Sequence, residues 1–137
     1  MPAKIWEHSN TVEECYEFML AYAAQGRSSD DAEKPGGQIR EFLQRAARAI
    51  AGVAEECSKV VREQRLEPAE KFQSFIAVLD CDARSSLAGI DLVLAQPSIS
   101  SQLVDNLNAS IHLRALLTDL FLVGEVFRSQ FATKPHR

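Results

Sequence analysis

The sequence has few of the residues from which recognisable site chemistry is built. It holds three histidines, His8, His112 and His136, far apart, and no Glu-x-x-His. A di-iron carboxylate bundle takes a Glu from each of two helices and Glu-x-x-His from the other two, so that class is excluded. The cysteines, Cys15, Cys57 and Cys81, are odd in number and lack CxxC spacing, which argues against a disulfide framework or a zinc site. No phosphate-binding glycine loop and no nucleophile elbow is present. Aromatic residues make up 7%, too few for a stacking surface that would hold nucleic acid. Positive charge is also in the minority. The net charge of −4 gives no electrostatic reason to expect nucleic acid or an anionic membrane. Arg114, Asp119 and Glu125 interrupt the longest apolar run, so no transmembrane span is expected. The opening MPAKIWEHSN lacks the basic start and apolar run of a signal peptide. The expectation is a cytoplasmic protein with reduced thiols and no metal or cofactor.

What is present is helical periodicity. At 137 residues one domain is expected, long enough to bury roughly two-thirds of the unfolded chain's surface. After a lead over 1–10, Thr11-Val12-Glu13-Glu14 has the form of a capping box and opens a short first helix that Gly26 stops. Residues 26–37, GRSSDDAEKPGG, are too polar to bury and are expected to form a flexible loop. The second helix runs from about Gln38 to Gln64. Its residues Ile39, Leu43, Ala46, Ile50, Val53, Cys57 and Val60 alternate steps of four and three, a heptad seam. Pro68 suits the start of a third helix, whose seam is Phe72, Ile76, Leu79, Ala83, Leu87, Ile90 and Leu94. Pro97 ends it, and Ser98 is placed to cap a fourth helix over Ile99 to Phe131, before a frayed tail at 132–137. The expected fold is all-α: an antiparallel up-and-down bundle of four helices, one short and three long, forming a single domain.

The chemistry-bearing candidates gather near the last hairpin. On a continuous wheel from 99 to 131, Asp105, Asn108, His112 and Asp119 share a solvated side, while Arg114 falls among Leu103, Leu107, Leu117 and Phe121. A core-facing guanidinium needs a carboxylate, because desolvating it alone costs several kcal/mol. Folding the hairpin about Pro97 brings residue 114 opposite about residue 80, so Asp80 is its expected partner. Snorkelling of Arg114 to solvent is the competing expectation. Cys57 sits on a seam as a small hydrophobe, whereas Cys81 lies off it and has only His112 as a conceivable base.

Two functional readings follow. The first is a non-enzymatic accessory or regulatory protein that acts by association, as a homo-oligomer (a dimer first) or with a partner protein. Its support is apolar surplus: Leu113, Leu116, Leu120, Val123 and Phe127 on one flank of the last helix, and Val104, Ile111 and Leu122 on another. Val78, Ala88 and Leu92 add more beyond the third seam. The second is a small-molecule or metal-binding bundle with a polar site of Arg114, Asp80, Cys81 and His112 between the last two helices. No acid–base arrangement pairs up, which weighs against an enzyme.

Overall fold

The computed structural model describes residues 3–30 and 38–133. They form five helices: α1 (Ala3–Ala24), α2 (Gln38–Glu63), α3 (Ala69–Leu94), α4 (Ser101–Ala109) and α5 (Ile111–Thr133). Among the described residues there is no strand.

The all-helical architecture agrees with the seams, but its parts differ from expectation at both ends. The first helix is long, because 3–10 is its opening and not a lead. Thr11 therefore stands inside α1, where its hydroxyl donates to the Glu7 carbonyl at 2.9 Å instead of capping. The apolar signal for this extension is carried by Ile5, buried at the same period as Val12, Cys15, Met19 and Tyr22. The expected fourth helix is two helices. Ser110 adopts φ −62°, ψ 138°, its N–H bonds the Asn106 carbonyl, and its hydroxyl donates to Leu107 O at 2.7 Å. The Ser110 hydroxyl thus gives the backbone a partner that competes with the helical ladder at this point. The expected flexible segment and tail lie largely outside the described residues, at 31–37 and 134–137.

Pairings along the helices fix their directions. Phe18 stacks on Phe42 with centroids 4.3 Å apart, and His8 lies over Gly52, so α1 and α2 run antiparallel. Ser58 reaches Gln73 at 3.5 Å, while Ala51 and Asp80 line one cleft, so α2 and α3 are antiparallel too. Phe72 stacks with Phe127 at 6.2 Å, and Asp82 faces Asp119, which sets the α3–α5 register. α5 then returns to α1, and α4 packs chiefly on α1. The four long helices enclose Met19, Leu43, Ile50, Leu79, Leu116 and Phe127, each essentially inaccessible. At roughly 1.5–3 kcal/mol for each buried large apolar side chain, this seam packing is the main favourable term.

The turns are locked by specific bonds. Arg65 takes a left-handed φ of 50° after α2, with Leu66 N–H bonded back to Val61 O at 3.1 Å, the geometry of a Schellman end. At one end of the bundle, Arg40 donates to Asp30 at 2.7 Å, to Leu94 O at 3.1 Å and to Gln96 O at 2.9 Å. Asp30 also accepts from Ile99 N–H at 2.8 Å, and Tyr22 donates to Ile99 O at 2.6 Å. Ser101 closes the latch by donating to Tyr22 O at 2.6 Å and accepting from Arg27 N–H. Asp30 and Arg40 thus tie α2 to the α3–α4 turn, and Tyr22 and Ser101 tie that turn to α1.

Candidate functional site

The break at Ser110 re-phases α5 relative to α4, and this decides where the candidate residues point. On α4 the buried side is Ser101, Val104, Leu107 and Asn108; on α5 it is Leu113, Leu116, Leu117, Leu120, Val123 and Phe127. Arg114 is exposed, so the expected core-facing arginine is on the solvent side. The Arg114–Asp80 ion pair is absent among the described residues: Asp80 pairs instead with Arg84 at 3.0 Å, one turn along α3. Cys81 and His112 are exposed, and the four residues do not converge. The physical reason is register. A wheel drawn straight through Ser110, and a hairpin centred on Pro97, both misplace α5 against α3 by more than a turn.

The expected interface flank is corrected as well. Leu113, Leu116, Leu120, Val123 and Phe127 are at most 3% exposed and form the chain's own core. The surplus lies one flank over. Leu122 is 53% exposed, Val126 36%, and Val78 on α3 48%, while Phe121, also 53% exposed, faces the α1 side of α5. Leu92 and Ile111, 67% and 70% exposed, extend the pattern towards the α4 end. Val78, Ile111, Leu122 and Leu92 belonged to the surplus read from sequence, whereas Val104 is buried.

Between α3 and α5 this surplus borders a groove of about 320 Å³, lined by Glu67, Pro68, Lys71, Phe72, Phe75, Leu122, Val123, Val126 and Gln130. On α3, Phe75, Val78 and Asp82 follow at steps of three and four. On α5, Asp119, Leu122 and Val126 do the same, so each set shares one helix flank. The walls are therefore apolar over two turns and acidic at the next. There Asp82 and Asp119 face each other. Burial first, then the facing Asp82 carboxyl with its like charge, push the Asp119 carboxyl up to about 7. Its Oδ2 is shut off from solvent with no hydrogen-bond donor beside it. Near neutral pH this pair takes up a proton or welcomes an incoming cation.

Other sites offer less chemistry. A cleft of about 420 Å³ between α1 and α5 contains Trp6, Glu13, Phe121 and Arg128. In it Arg128 lies 5.1 Å over the Trp6 ring and pairs with Glu125 at 2.9 Å. Cys15 and Cys57 are buried, and desolvation pushes both thiols up to about 12, which leaves them inert as nucleophiles. Among the described residues, no group of three or more His, Cys, Asp or Glu side chains could hold a metal ion, and no helix is long and apolar enough to cross a membrane. Sequence reasoning missed the Asp82–Asp119 pair. Its signal was available in the apolar residues flanking each aspartate at helical spacing. Compared with protein-family models, curated proteins and solved structures, the chain matches none.

Proposed function

We propose that this protein is a non-enzymatic helical association module that works by seating a helical surface in the α3–α5 groove. The observation that carries the reading is the continuous exposure of Val78, Leu122 and Val126 beside half-buried Phe75. Soluble chains seldom leave such a contiguous apolar strip uncovered, and rims of polar residues around it are typical of interaction sites. Glu67 and Lys71 at one end and Asp82 and Asp119 at the other supply such a rim. An accessory or regulatory role by contact fits a chain whose described polar residues mostly form latches and surface pairs.

The test is a photo-crosslinking residue placed at Leu122, compared with one at exposed Ala77 on the opposite flank of α3. The expected result, in the native cell, is a discrete, position-specific adduct from 122 and none from 77. Equal or absent adducts at both positions would remove the reading. The competing small-molecule or metal-binding reading rested on Arg114, Asp80, Cys81 and His112 meeting in one site, and their separation withdraws that support.

A further inference from the structure

The strip along the groove ends in two acids on one side and in a lysine, with Glu67 beside it, on the other. Asp82 and Asp119 stand at one end and Lys71 at the other, with Phe75, Val78, Leu122 and Val126 between them. Lys71 is exposed, and among the described residues neither it nor the two aspartates forms an ion pair. Arg84, the nearest cation along α3, is engaged with Asp80.

The spacing of these residues has a centre. On α3 the midpoint between Lys71 and Asp82 is also the midpoint between Phe75 and Val78. The register set by Phe72 beside Phe127 and Asp82 beside Asp119 puts that level opposite the midpoint between Leu122 and Val126 on α5. A two-fold axis lying in the groove surface, across both helices at this level, maps the strip onto itself with reversed ends. Each lysine then meets an acid pair, and each apolar residue meets an apolar residue. Self-complementarity of this kind is what an isologous dimer requires.

We infer that a second copy of this chain occupies the groove, with α3 antiparallel to α3 and α5 antiparallel to α5, and with Lys71 of each copy set between Asp82 and Asp119 of the other. This rests on the association reading above and names its partner. The two carboxylates repel each other within one chain, and an ammonium placed between them relieves that repulsion while its own charge is neutralised. A foreign helix would have to match both charges and both apolar steps. The second copy matches them by symmetry.

The test uses two full-length variants, Lys71→Glu and Asp82→Lys, each checked for unchanged helical circular dichroism. Alone, each places like charges opposite one another twice per dimer and is expected to weaken dimerisation about tenfold or more. Mixed, they restore both pairs, so native mass spectrometry with one variant isotope-labelled is expected to find the heterodimer in preference to either homodimer. A mixture giving no excess of heterodimer, or a wild-type chain that stays monomeric, would overturn the inference. A monomeric wild type whose residue 122 still crosslinks to a different chain would overturn only the identity of the occupant. Absence of both signals would overturn the association reading as well.

Discussion

Asp30 and Asp119 are both removed from full solvent, yet their surroundings drive them in opposite directions. Burial of Asp30 raises its pKa, but the Ile99 N–H bond, the Arg40 hydrogen bond and the Arg40 charge outweigh that, so its carboxyl stays below the ordinary 3.8. A depressed acid stabilises the fold above the unfolded-state value, and that stability is lost as pH falls through the folded value. Asp30→Asn keeps the shape and removes the charge, leaving Arg40 with weaker acceptors. The expected loss is about 1–3 kcal/mol by urea titration near neutral pH, shrinking as pH falls below about 4. Asp119 behaves in the reverse way. Its folded value of about 7 lies above the ordinary 3.8, so the folded state holds a proton the unfolded chain has released. In a chain with no partner lysine at the pair, stability therefore declines as pH rises from about 4 to about 7 through this group. In the Lys71→Glu background, where no partner lysine reaches the pair, Asp119→Asn is expected to flatten that decline and to raise stability at pH 8, measured as urea midpoints against pH.

At the scale of the element, the close fit of α1 on α5 turns on one missing side chain. A Cβ on Gly124 would stand 2.7 Å from Cζ3 of Trp6, closer than carbon atoms can approach. Gly124→Ala forces the indole or α5 to move, and is expected to cost about 1–3 kcal/mol of stability and to change the tryptophan fluorescence. That contact also shows why α1 was only half legible. Its second half has strong apolar spacing at Val12, Met19 and Ala23. The first half depends on Ile5 and Trp6, whose role appears only once α5 lies beside them. The seams of α2 and α3 were legible because heptad spacing is local: Ile39, Leu43, Ala46, Ile50, Val53 and Cys57 are all buried. The break at Ser110 was not. Leucines continue on both sides of it, and the extended ψ of 138° at Ser110, with its hydroxyl bonded back to Leu107 O, breaks the helix against the apolar trend. Every site assignment downstream inherited that phase error. Arg114 left the core and Asp119 entered the groove.

For the whole molecule, the apolar surplus was legible in the sequence, while its location was not. The leucines and phenylalanine of the expected interface, Leu113 to Phe127, are what the four long helices share among themselves. What remains outside is set by which flank α3 and α5 leave uncovered, a quantity fixed by packing and not by composition. The central claim is that this flank exists to be covered, through the α3–α5 groove. The direct measurement is solution molar mass, by light scattering across a range of concentrations, for wild type and for Leu122→Asp. Leu122 is half exposed, so the substitution is expected to spare the fold, as circular dichroism would verify. The account predicts a dimer mass for wild type at concentrations where the folded Leu122→Asp variant is a monomer. Identical masses for the two proteins at every concentration, with no position-specific crosslink from residue 122, would contradict it.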